Sequence, residues 1–91
     1  MWEKMTSSMM MKPYYYIVTY RVRYGPKQGD LRYEHCMLTA MTEDAAVDFV
    51  REELCAKRGL VFVYAHVELY NEREEQRILK NGYTLEDFRW L

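Results

Sequence analysis

Two histidines, two cysteines and two serines are the residues of this chain best suited to nucleophilic or metal chemistry. Their spacing does not assemble a site. His35 and Cys36 are adjacent in a β-patterned stretch, where successive side chains point to opposite faces, so they cannot form a nucleophile–base pair. The same alternation puts His35 and His66 on different faces of the expected sheet. There is no Cys-x-x-Cys or His-x-x-x-His spacing to hold a metal. Ser7 and Ser8 lie in an N-terminal stretch without periodicity. Gly25-Pro26-Lys27-Gln28-Gly29 is a turn with no helix after it, which does not make a phosphate cradle. The expectation is a protein that is not an enzyme and carries no cofactor or metal.

Binding chemistry is better represented. Arg21, Arg23, Lys27 and Arg32 cluster on one hairpin, offset by Asp30 and Glu34, and the chain holds nine tyrosines and seven methionines. Arginine and tyrosine are enriched at protein interfaces and hot spots. Aromatic residues beside basic ones are also what a single-stranded nucleic acid needs, for stacking and for phosphate contact. The net charge is −1 over 91 residues, so the whole molecule is not built to coat nucleic acid or an anionic membrane. No apolar run approaches a membrane span, and the N-terminus lacks the pattern of a signal peptide, so residence in the cytoplasm is expected.

Tyr14–Tyr24 is the stretch that positions these residues. Aromatic and β-branched residues fill it without Gly or Pro, so it reads as a strand, and as the centre of a small sheet. Met1–Lys12 reads as a flexible arm, and residues 13–91 as a single α+β domain. The cluster Gly25–Asp30 closes a hairpin onto a second strand, Leu31–Met41. Pairing Tyr24 with Leu31 brings Val22 to Tyr33, Tyr20 to His35, Val18 to Met37 and Arg21 to Glu34. A one-residue slip is disfavoured because it moves Glu34 onto the core face. Thr42 caps a helix that carries Glu43 and Asp44 in its first turn and stops at Gly59. Its buried stripe is Ala46, Phe49, Val50 and Leu54, with Cys55 on the solvent side. A third strand, Leu60–Tyr70, has Val61, Val63, Ala65, Val67 and Leu69 facing the core. Cys36 is expected on the face opposite the helix, so the two thiols stay free and apart.

The predicted fold is therefore a three-stranded antiparallel sheet in the order 2-1-3, a ββαβ layer with one helix packed on one face. Asn71-x-x-Glu74 opens a second, mostly solvated helix to Lys80. Thr84-x-x-Asp87 then begins a short helical C-terminal segment rich in apolar residues.

One helix leaves the second face of the sheet unexplained. That face should carry Tyr15, Ile17, Thr19, Arg21 and Arg23, then Cys36 and Leu38, then Phe62, Tyr64 and His66. It is about half apolar or aromatic, which a monomer seldom leaves bare. The Tyr83–Leu91 tail, a second copy of the chain in a homodimer, or another partner would each cover it. The candidate partner-binding residues are Tyr15, Arg21, Arg23, Arg32, Phe62, Tyr64 and His66.

Two resemblances bear on the partner. Arg58-Gly59-Leu60-Val61-Phe62-Val63-Tyr64-Ala65 partly resembles the first ribonucleoprotein strand of RNA-recognition motifs. Arg58, Gly59, Phe62 and Val63 match, whereas Leu60, Val61 and Ala65 do not, and here the Arg-Gly follows a helix. That likeness implies stacking of unpaired RNA or DNA bases on the open face. The tyrosine-rich hairpin, the Thr42-Glu43-Asp44-Ala45-Ala46 helix start and the single following strand resemble small ββαβ accessory proteins of phage and mobile elements. Anti-CRISPR-like inhibitors are among them. This second likeness implies a non-enzymatic module that binds and regulates or inhibits a host protein complex. Single-stranded nucleic acid is the alternative partner.

Overall fold

Alternation of aromatic and β-branched residues produces β1 (Tyr14–Arg23), and the rest of the chain is hung on it. It pairs antiparallel with β2 (Leu31–Ala40) on one side and with β3 (Val61–Leu69) on the other. The computed structural model describes residues 12–24 and 31–88. The expected N-terminal arm up to residue 11, the expected turn at 25–30 and the last residues, 89–91, lie outside the described residues.

The sheet has four strands rather than three, in the order β3-β1-β2-β4. The added strand, β4 (Leu85–Phe88), runs parallel to β2, with His35 opposite Leu85 and Leu38 opposite Phe88. This corrects both the all-antiparallel sheet and the helical tail. The physical reason is the spacing of Leu85 and Phe88. An odd separation in a strand sends them to opposite faces, so each covers a different apolar cluster.

The long helix α1 begins at Glu43, with the Thr42 hydroxyl accepting from the Ala45 amide at 3.0 Å. It runs as an α-helix over Glu43–Phe49, widens to π geometry over Val50–Cys55 and tightens to 3₁₀ over Ala56–Arg58. Gly59 ends it at φ 71°, a left-handed conformation suited to glycine. The π turn places one extra residue in the winding, so the α-helical spacing fails past Val50. Leu54 stays inward, as expected, but Cys55 rotates into the core instead of facing solvent. Cys55 and Cys36 are both buried in the cluster under α1, and both are free thiols. Burial pushes the Cys36 thiol up to about 12 and raises that of Cys55 as well, so neither is a ready nucleophile.

The second helix, α2 (Glu72–Lys80), is capped by Asn71, whose side chain accepts from the Glu74 amide at 2.7 Å. It lies on the other face of the sheet, where Ile78 packs with Ile17 and Met37. Topology explains this placement. The β2–α1–β3 and β3–α2–β4 connections cross the sheet in opposite directions. Crossovers of one hand taken in opposite directions put their helices on opposite faces.

The hairpin register differs from the expected one by a single residue. Arg23 lies opposite Leu31, Val22 opposite Arg32, Tyr20 opposite Glu34 and Val18 opposite Cys36. Every side chain of β2 therefore changes face. Glu34 and Cys36 lie under α1, while His35 and Met37 lie under α2. Glu34 tolerates the core side because it is well partnered there. It accepts from the Tyr20 hydroxyl at 3.0 Å, from Arg58 Nη1 at 3.0 Å and from the Tyr24 hydroxyl.

Candidate functional site

The face that carries α2 divides into two halves. In the covered half, Tyr15 stacks on Tyr70 with ring centroids 4.7 Å apart, and Ile17, Met37 and Ile78 close a small core. The Tyr70 hydroxyl donates to Glu75 at 2.5 Å, and that hydrogen bond, with burial, pushes the phenol up to about 12. Tyr15 is thus part of the packing beneath α2, not a free contact residue.

The uncovered half carries Arg21 and Arg23 from β1, Tyr33 from β2, and Tyr64 and His66 from β3, by the registers that pair Arg21 with both Tyr33 and Tyr64. The Arg21 guanidinium lies over the Tyr33 ring, 4.9 Å from its centroid. The Tyr33 and Tyr64 hydroxyls are 3.1 Å apart across β1. The hydrogen bond with Tyr33 is the main cause of the raised Tyr64 phenol. Tyr33 and Tyr64 are 42% and 44% exposed, large aromatic surfaces open to solvent. The Nε atoms of Arg21 and Arg23 are enclosed without an acceptor among the described residues. The nearest histidine at depth, His35, bonds the Thr19 hydroxyl through Nδ1 at 2.9 Å and meets the Tyr83 ring edge-on at 4.7 Å. Burial, aided by the Arg77 charge, holds the His35 imidazole below its ordinary range.

Two of the expected contact residues lie on the other face. Arg32 faces the α1 side, with its guanidinium 4.8 Å from the Tyr24 centroid. The one-residue register difference put it there. Phe62 is turned by a β-bulge: β1 pairs Arg21 with Tyr64 but Val22 with Phe62, leaving Val63 as the extra residue. Phe62 consequently packs against the α1 cluster, and Arg51 lies over its ring at 5.1 Å. The platform is therefore Arg21, Arg23, Tyr64 and His66 from the expected set, joined by Tyr33, which the expected register had placed on the covered side.

A cleft of about 440 Å³ opens beside the platform, at the part of β2 that β4 does not reach. Tyr33 and His35 line it from one face, Tyr24, Arg32 and Arg58 from the other, and Tyr83 and Glu86 close its far wall. Arg58 is already engaged there: its hydrogen bond to Glu34 raises the affinity of the guanidinium for its proton. Among the described residues no group of His, Cys, Asp and Glu side chains could hold a metal ion. No helix among them is long and apolar enough to cross a membrane. Comparison with known protein families, with curated proteins and with solved structures finds no match for this chain.

Proposed function

We propose that this protein is a non-enzymatic binding module whose partner is another protein, held through the uncovered half of the sheet. The observation that carries the reading is the Arg21–Tyr33–Tyr64 arrangement, with Arg23 alongside. Two exposed tyrosine rings are fixed on strands next to the Arg21 and Arg23 guanidinium groups. Rigid aromatics and arginines at the centre of a patch are what interface hot spots use, because little side-chain entropy remains to be lost. The sign of the patch favours an acidic, carboxylate-bearing segment on the partner. Regulation or inhibition of a host complex, which the architectural resemblance to phage and mobile-element accessory proteins implies, is the biological form of this proposal. Of the acidic residues on the helices, Asp48, Glu53 and Glu74 pair with Arg51, Lys57 and Arg77 on their own helices.

The same arginines and tyrosines favour single-stranded nucleic acid as the second reading, by phosphate contact and base stacking. One experiment separates the two. Wild-type protein and the Arg21→Ala/Arg23→Ala variant are used to capture partners from host lysate, with and without nuclease. A stoichiometric protein kept after nuclease by the wild type, and lost by the variant, supports the first reading. Capture abolished by nuclease supports the second, and oligonucleotide affinity should then fall steeply with salt, with a shallower slope in the variant. A partner retained equally by both proteins overturns the assignment to this platform.

A further inference from the structure

The two edges of the sheet are unlike. β4 is four residues long and carries Glu86 and Asp87, the short, charged form that discourages pairing with another chain. β3 is nine residues long, Val-Phe-Val-Tyr-Ala-His-Val-Glu-Leu, with no lysine, arginine, proline or glycine. Among the described residues no strand pairs with its outer edge. Leu69, Val61 and Val63 are 56%, 52% and 41% exposed along it. The direction of its backbone groups follows from one hydrogen bond. The Tyr70 amide donates to the Tyr15 carbonyl at 2.8 Å, so Glu68 and His66, two and four residues back, also bond inward to β1. Ala65, Val67 and Leu69 then turn their amides and carbonyls outward.

We infer that the outer edge of β3 pairs antiparallel with the same edge of a second copy of this chain, about a twofold axis at Val67. This register lies clear of the bulge at Val63, which would distort any pairing centred closer to it. It sets Val67 against Val67 and Ala65 against Leu69 on the α1 face, so the partners there are apolar. On the α2 face it sets His66 against Glu68 of the second copy, and Glu68 against His66, twice over by symmetry. Within one chain those two side chains already approach to 3.9 Å, on the same face. Centring the axis on His66 instead would oppose two histidines and leave Glu68 opposite Tyr64 rather than His66. The pairing makes an eight-stranded sheet from two four-stranded ones. It leaves Arg21, Arg23 and Tyr33 uncovered and shares with the binding platform only its β3 residues, Tyr64 and His66.

Sedimentation velocity of the full chain over a concentration series, with hydrogen exchange read at Ala65, Val67 and Leu69, tests this. The expected result is a dimer whose dissociation exposes those three amides on dilution. His66→Glu places like charges opposite each other at two symmetric positions and should weaken the dimer roughly tenfold. Adding Glu68→Lys should restore it. His66 is exposed enough that neither variant should lose the fold, which circular dichroism would verify. A monomer at every concentration with freely exchanging amides overturns the inference. So does protection that is independent of concentration, which would mean the edge is covered by the chain's own terminal arm. Equal dimerisation of the wild type and His66→Glu would overturn the register.

Discussion

The two faces of β1 are built from one alternating stretch, yet they end in different states. On the α1 side Tyr16, Val18, Tyr20 and Val22 are sealed by α1 and by Cys36, Leu38 and Phe88. On the α2 side Ile17 is sealed and Arg21 and Arg23 are not. Helix length accounts for much of the contrast. A nine-residue helix is about 13 Å long, whereas a ten-residue strand extends about 33 Å. α2 can roof only part of its face, and it brings a single buried residue, Ile78, to do so. A sheet face covered by too short a helix leaves a rigid remainder, and here that remainder is where basic and tyrosine residues collect.

The contrast can be broken first on the sealed side. Leu54→Ala removes a buried side chain from beneath α1 and should cost about 3 kcal/mol, measured by urea unfolding. Ile78→Ala should cost about 2 kcal/mol, because its cluster is smaller and fewer side chains lose contacts with it. It should also increase binding of a hydrophobic dye by uncovering Ile17 and Met37. A larger loss for Ile78→Ala than for Leu54→Ala would reverse the ranking of the two faces. Glu34→Gln keeps the shape but removes the charge that receives Tyr20 and Arg58. A loss of about 1–2 kcal/mol is expected, and a neutral result would mean that Glu34 is merely tolerated on the core side.

The smallest effect is a pH dependence on the α2 side. Burial depresses the folded-state affinity of His35 for its proton, below the ordinary value of 6.5. As pH falls the unfolded chain binds this proton first. The stability contributed by neutral His35 is therefore complete above pH 6.5 and is lost progressively as pH falls towards the depressed folded value. Thermal midpoints taken over roughly pH 7 to 5.5, above most carboxylate titration, should decline in the wild type. The decline should be shallower in His35→Gln. Parallel curves would assign the slope to other groups.

How much of this was legible in the chain differs from element to element. The α1 start at Thr42, its stop at Gly59 and the Asn71 cap depend on local hydrogen bonding and backbone conformation, and they lie where the residue types place them. β1 as the centre between β2 and β3 followed from its composition and from the helix linking its two neighbours. The platform was half legible. Arg21, Arg23, Tyr64 and His66 share a face as their parity requires, while Tyr33, Arg32 and Phe62 were misplaced. Each error has one cause: a hairpin register off by one residue, or a single extra residue at Val63.

By itself, then, the sequence determined which segments up to Lys80 are strands and helices, where those two helices begin and end, and which residues of β1 share a face. Those properties are set within a few residues along the chain, by propensity, capping and alternation. Only the tertiary structure decided how β2 is aligned on β1, that Cys55 turns inward, that Leu85–Phe88 joins as a parallel strand, and that α2 roofs the opposite face. These depend on partners distant in sequence. Glu34 is acceptable under α1 because Arg58, Tyr20 and Tyr24 converge on it. No periodicity within β2 records that convergence.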